Sequence, residues 1–87
     1  MHSAIVAVEL PGDKRQWSAF QAAIQTIEGN QAVSLLGENV WQIDFQKAPL
    51  AFALLVKGAE DLRLPYRILS FDAEPRWLRV VPNPKPT

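Results

Sequence analysis

The chain has 87 residues, 48% of them apolar, enough for one domain with a core and too apolar to be disordered. Lys plus Arg total nine and so do Asp plus Glu, for a formal net charge of zero. This is not the basic excess by which nucleic-acid-binding domains usually neutralise phosphates. There is no cysteine, which rules out disulfides, thiolate metal sites and cysteine nucleophiles and leaves the redox compartment open.

Ala4 to Leu10 (AIVAVEL) is short and apolar on both parities, as in a buried strand, and Pro11-Gly12 closes it. It lacks a basic leader and a long apolar run, so it reads as a strand and not as a signal peptide. No apolar run reaches the ~18 residues of a membrane span, and a cytoplasmic, non-membrane protein is the expectation. Asp13, three residues before Gln16, fits a capping box that opens a helix. Trp17, Phe20, Ile24 and Ile27 share one helical face, and Gln21, Gln25 and Glu28 take the other. Gly29 is expected to end the helix in a left-handed conformation. Lys14 and Arg15 in its first turn oppose the helix dipole and are read as reaching into water.

Gln31 to Leu36 and Val40 to Phe45 read as two strands joined by Leu36-Gly37-Glu38-Asn39, where glycine suits the first central position of a type II′ turn. In the second of these strands Trp41, Ile43 and Phe45 alternate with Val40, Gln42 and Asp44, as in a half-buried strand. Pro49 opens a second helix running to about Leu62, with Ala51, Leu54, Leu55, Gly58 and Leu62 on one stripe and Phe52, Val56 and Ala59 widening it. Gly58 costs about 1 kcal/mol of helix propensity against alanine, for which close approach to the sheet is the expected reason. Tyr66 to Phe71 (YRILSF) is a further strand. Trp77 to Val81 (WLRVV) offers a fifth, edge strand. Residues 1–81 then form one domain, and the prolines of 82–87 make an extended, mobile tail.

The order β-α-β-β-α-β resembles the ferredoxin-like superfold. That resemblance implies an α+β two-layer sandwich, an antiparallel sheet with two helices on one face. The expected core is Trp17, Phe20, Ile24 and Ile27, then Leu54, Leu55 and Leu62, against Trp41, Ile43 and Phe45. The V-W-x-I-x-F stretch from Val40 also resembles the third strand of an RNA-recognition motif. In that family an outward aromatic stands where Val6 lies, and two more where Val40 and Gln42 lie. None of the three is aromatic here, and the Lys/Arg-Gly start is missing.

No catalytic constellation, cofactor motif or metal-ligand spacing is present. His2 is the single histidine, and no serine has a G-x-S-x-G setting or a histidine near in sequence except His2. The glycines do not cluster into a phosphate loop. Glu60-Asp61 and Asp72/Glu74 read as helix-end and turn chemistry, not cation ligands. An enzyme is not expected. The candidate interface comprises Tyr66, Arg67, Ile68, Arg76, Trp77 and Arg79, rich in the arginine and aromatic types of binding hot spots, with Phe52 and Val56 from the second helix. Arg63 lies close by in sequence. The same arginines also suit edge-strand protection, the largest share of the reading.

A two-layer fold leaves one sheet face open, and either parity of the first strand places apolar residues there. A protein-interaction module follows as the first expectation. Its partner is itself as a homodimer or another protein, and its role is accessory, regulatory or of immunity or inhibitor type. A nucleic-acid module using Arg67, Arg76 and Arg79 is the second expectation and a small-ligand sensor the third.

Overall fold

The computed structural model describes residues 2–73, 76–78 and 80. In chain order it contains β1 (Ser3–Val8), α1 (Lys14–Ala23), a 3₁₀ turn (Gln25–Ile27), β2 (Val33–Gly37), β3 (Val40–Asp44), α2 (Pro49–Asp61) and β4 (Tyr66–Phe71). The sheet is antiparallel, in the order β2-β3-β1-β4. Both helices pack on one face of it, which gives the expected α+β two-layer arrangement. The 3₁₀ turn sits between α1 and β2, so the element order is not a clean alternation.

Register settles what the β1 sequence left open. Ala4, Val6 and Val8 are buried under the helices and pair with Ile43 and Trp41 of β3 and with Ser70, Ile68 and Tyr66 of β4. Partners directly opposite share a face, so the open face carries Ser3, Ile5 and Ala7 of β1, Val40, Gln42 and Asp44 of β3, and Arg67, Leu69 and Phe71 of β4. Val6 therefore points into the core, opposite to the placement that the RNA-recognition alignment implies.

The α1 face is buried as its spacing dictates. Trp17 stacks on Phe20 with ring centroids 5.1 Å apart, and Phe20 meets Trp41 edge-on at 5.8 Å. Phe20 and Leu55 are fully buried, each worth roughly 1.5–3 kcal/mol of apolar burial. On α2 the buried residues are Ala51, Leu55, Gly58 and Ala59. Leu54 and Leu62 only flank the core, and Phe45 is half-buried. Small residues face inward here because the two helices approach closely. A Cβ on Gly58 would stand 3.2 Å from Cε2 of Phe20 and 3.5 Å from Cγ2 of Ile24. The glycine thus makes room for α1, not for the sheet.

Three local expectations change. Asp13 caps α1 by accepting from the Arg15 amide at 2.8 Å, but Gln16 does not close a capping box. Its Nε2 instead donates to the Leu62 carbonyl at the end of α2, at 2.7 Å. The α-helix stops at Ala23 and tightens into the 3₁₀ turn before Gly29 takes its left-handed φ of 79°. The hairpin turn is Glu38-Asn39, with Gly37 paired to Val40, and a register shift between Leu35 and Gly37 marks a bulge. Gly37 is not in a positive-φ conformation, which excludes the type II′ turn. Finally, α2 ends in a Schellman motif. Leu64 N–H donates to the Ala59 carbonyl at 2.8 Å and Arg63 N–H to the Glu60 carbonyl at 3.1 Å, with Arg63 itself left-handed at φ 55°.

Trp77, Leu78 and Val80 form no strand. Arg79 and Val81 of the expected fifth strand, and the whole expected tail, lie outside the described residues.

Candidate interaction edge

β4 is the terminal strand of the sheet, and half of its main chain has no strand partner among the described residues. In an antiparallel ladder the N–H and C=O of one residue point to the same side, and successive residues alternate. Glu9 N–H donates to the Pro65 carbonyl at 2.8 Å, and Val8 N–H to the Asn39 carbonyl at 3.0 Å. Odd residues of β1 therefore ladder with β4 and even ones with β3. It follows that Arg67, Leu69 and Phe71 turn their main chains toward β1, whereas Tyr66, Ile68 and Ser70 turn theirs outward, with no strand beyond them among the described residues.

Apolar side chains flank this bare main chain on both faces. Ile68 stays 43% exposed on the helix side and Leu69 59% exposed on the open side. The other sheet edge differs: β2 is shorter and interrupted by its bulge. Bulges, prolines and charged side chains are the usual devices that blunt an edge. β4 has neither bulge nor proline, and Arg67 is its single charge.

Seven of the eight candidate interface residues are among the described residues, and six of them divide between the two faces. Tyr66 and Ile68 lie on the helix side. There Tyr66 Oη donates to Oε1 of Glu60 at 2.6 Å, tying β4 to α2. That hydrogen bond holds the Tyr66 hydroxyl above its ordinary pKa of 10.0, with slight desolvation and the Glu60 charge acting in the same direction. Phe52 and Val56 belong to the same i, i+4 ridge of α2 as Glu60, and Phe52 meets Phe45 edge-on at 5.1 Å. Glu60 thus ties this ridge to β4, and Phe52 ties it to the residue that follows β3.

On the open face lie Arg67 and, through its indole N–H donated to Oε1 of Gln42, Trp77. Trp77 is therefore engaged within the chain, across the middle of the face that composition alone left bare. Arg76 is exposed, and Arg79 lies outside the described residues. Arg63 belongs to the α2 terminus, lining a shallow recess with Tyr66 and Pro65. Arg63 and Arg67 thus lie apart, at the α2 terminus and on the open face. The outward main chain of β4 could be found only after the β1 register was known, and no sequence pattern signals it.

Two other concavities are less telling. A polar recess of about 410 Å³ is lined by Ser3, Asn30, Gln42, Asp44 and Lys47. Asp44 Oδ1 there accepts from the Gln46 and Lys47 amides, and Asn30 Oδ1 from the Ala32 amide, so these groups serve turns. An apolar cleft of about 260 Å³ between α1 and the hairpin is lined by Ile24, Ile27, Val33, Leu35 and Trp41. Among the described residues no three His, Asp or Glu side chains converge on a metal-sized site, and no helix is long and apolar enough to cross a membrane. Compared with family models, with curated proteins and with solved structures, the chain finds no match.

Proposed function

We propose that the chain is a non-enzymatic protein-interaction module that assembles as a homodimer, on a scaffold of ferredoxin-like type. The strand order and the placement of both helices on one face support the scaffold. The observation that carries the function is the β4 edge, unpaired among the described residues, with Ile68 and Leu69 exposed on either side of it. Such an edge gains affinity from main-chain hydrogen bonds and specificity from alternate side chains, which is strand addition. Size-exclusion chromatography with light scattering tests the assembly: twice the chain mass at micromolar concentration is expected, and a monomer at high micromolar concentration overturns the homodimer.

A second reading draws on Trp77, which is 62% exposed and set over the open face near Gln42, with Arg67 on the same face. One aromatic beside a cation can stack a base of a single strand. A mobility-shift assay at low and moderate salt decides it, since phosphate-driven binding must weaken as salt rises. Absence of any salt-sensitive shift removes this reading.

A further inference from the structure

We infer that the occupant of the β4 edge is the β4 edge of a second copy, paired antiparallel about a two-fold axis through Ile68. The inference rests on the interaction-module reading and specifies its surface and register. β2 is excluded as the pairing edge by its bulge, which leaves β4.

Symmetry then restricts the register. A two-fold axis perpendicular to the sheet keeps each side chain on its own face, and residues directly opposite must share a face. Only axes through a residue satisfy both conditions. An axis through Arg67 would set two like charges opposite each other, which is destabilising. Leu69 and Arg67 both turn their main chains inward to β1, so an axis through either puts a pair without hydrogen bonds at the centre. With the axis at Leu69, Ile68 pairs with Ser70 of the second copy, while Tyr66 falls opposite Asp72, beyond the strand end.

With the axis at Ile68, all three outward residues of each copy are used. Ile68 pairs with itself, and Tyr66 pairs with Ser70 of the second copy on both sides. Arg67 falls opposite Leu69, so the one charge of the strand never meets its copy. Both helical layers lie on the same side of the joined sheet. On that side each copy presents Ile68 and, from the α2 ridge that Glu60 ties to β4, the half-buried Phe52 and Val56. This adds an apolar layer that a pair of bare strands would lack.

The cysteine-free chain allows a clean test by disulfide trapping. In the Ile68 register Arg67 and Leu69 of the second copy form a pair without hydrogen bonds, with Cα atoms about 4.5 Å apart, inside the range a disulfide spans. Leu69 and its own copy lie about 7–8 Å apart across the diagonal. R67C and L69C proteins, mixed in equal amounts and mildly oxidised, should give a mixed disulfide severalfold more abundant than L69C alone gives. L35C on β2 serves as the background.

Faster linkage of L69C alone moves the axis to Leu69 and overturns the register. A dimeric mass with no β4 linkage above the L35C background overturns the edge assignment and leaves the interaction module standing. A monomeric mass overturns the homodimer and the register with it, and leaves the edge to a strand of another protein.

Discussion

Replacing Arg63 by glycine should stabilise the protein. Arg63 is the one non-glycine residue with a positive φ among the described residues, at 55°, and it occupies the left-handed position of the Schellman motif that ends α2. For an L-residue with a side chain this conformation costs about 1–2 kcal/mol. Glycine removes that cost, but its looser unfolded chain takes back about 0.4–1 kcal/mol. The net gain expected for Arg63→Gly is about 0.5–1 kcal/mol, or a rise of roughly 2–8 °C in Tm for a domain of this size. The motif's hydrogen bonds are main-chain bonds and survive the change. Leu64 and Ala59, which the motif joins, are both buried and unchanged by the substitution. Arg63→Ala provides the control, because it removes the guanidinium and keeps the strain; its stability should stay within about 0.5 kcal/mol of the parent. Thermal and urea melts followed by circular dichroism, at one fixed protein concentration, measure both. A glycine variant no more stable than the parent, or an alanine variant that gains as much, would refute the assignment of strain to Arg63.

The remaining expectations concern packing, capping and titration. Gly58→Leu should cost at least about 1–3 kcal/mol by overpacking against Phe20 and Ile24, and a urea midpoint unchanged from the parent would show that α1 can withdraw. Asp13→Ala should cost about 0.5–2 kcal/mol as a lost cap and Gln16→Ala about 0.5–1.5 kcal/mol as a lost bond to Leu62. Their double variant should be additive within about 0.5 kcal/mol, whereas a true capping box would couple them. Tyr66 is the only tyrosine, so an ultraviolet absorbance titration reads it alone. Its pKa should lie above 10.0 and fall toward that value in Glu60→Gln. Because the folded pKa is the higher one, the stability from this contact is present below pH 10 and is lost as pH rises through the folded pKa.

Residues whose role depends on near neighbours were readable in advance. The 3.6-residue spacing of Trp17, Phe20, Ile24 and Ile27 named the buried face of α1 and the 3₁₀ turn after it, and the alternation of Trp41 and Ile43 with Val40, Gln42 and Asp44 named both faces of β3. β1 was opaque because Ile5, Val6, Ala7 and Val8 are all apolar, and only pairing with β3 and β4 assigns their directions. The partners of Gln16 and Gly58 were hidden for the same reason: Gln16 bonds a residue 46 positions away, and the atoms nearest Gly58 belong to another helix. Left-handed Arg63 could not be anticipated, since the residue type opposes the conformation. Of the candidate interface, the side chains were visible as composition, but their division between two faces was not. Tyr66 and Arg67 are adjacent in the chain and point to opposite sides of the sheet.

The bulge between Leu35 and Gly37 has a bearing on how far such a sheet can grow. A sheet with two bare edges can add copies at both, and head-to-tail addition that does not close runs on into a fibre. Here the far edge is short and its register shifts partway along. Pairing of β4 with its copy about a two-fold axis consumes the same edge on both molecules and presents two bulged ends to the solvent. One irregular residue in β2, distant from the contact itself, would then be what sets the assembly size at two.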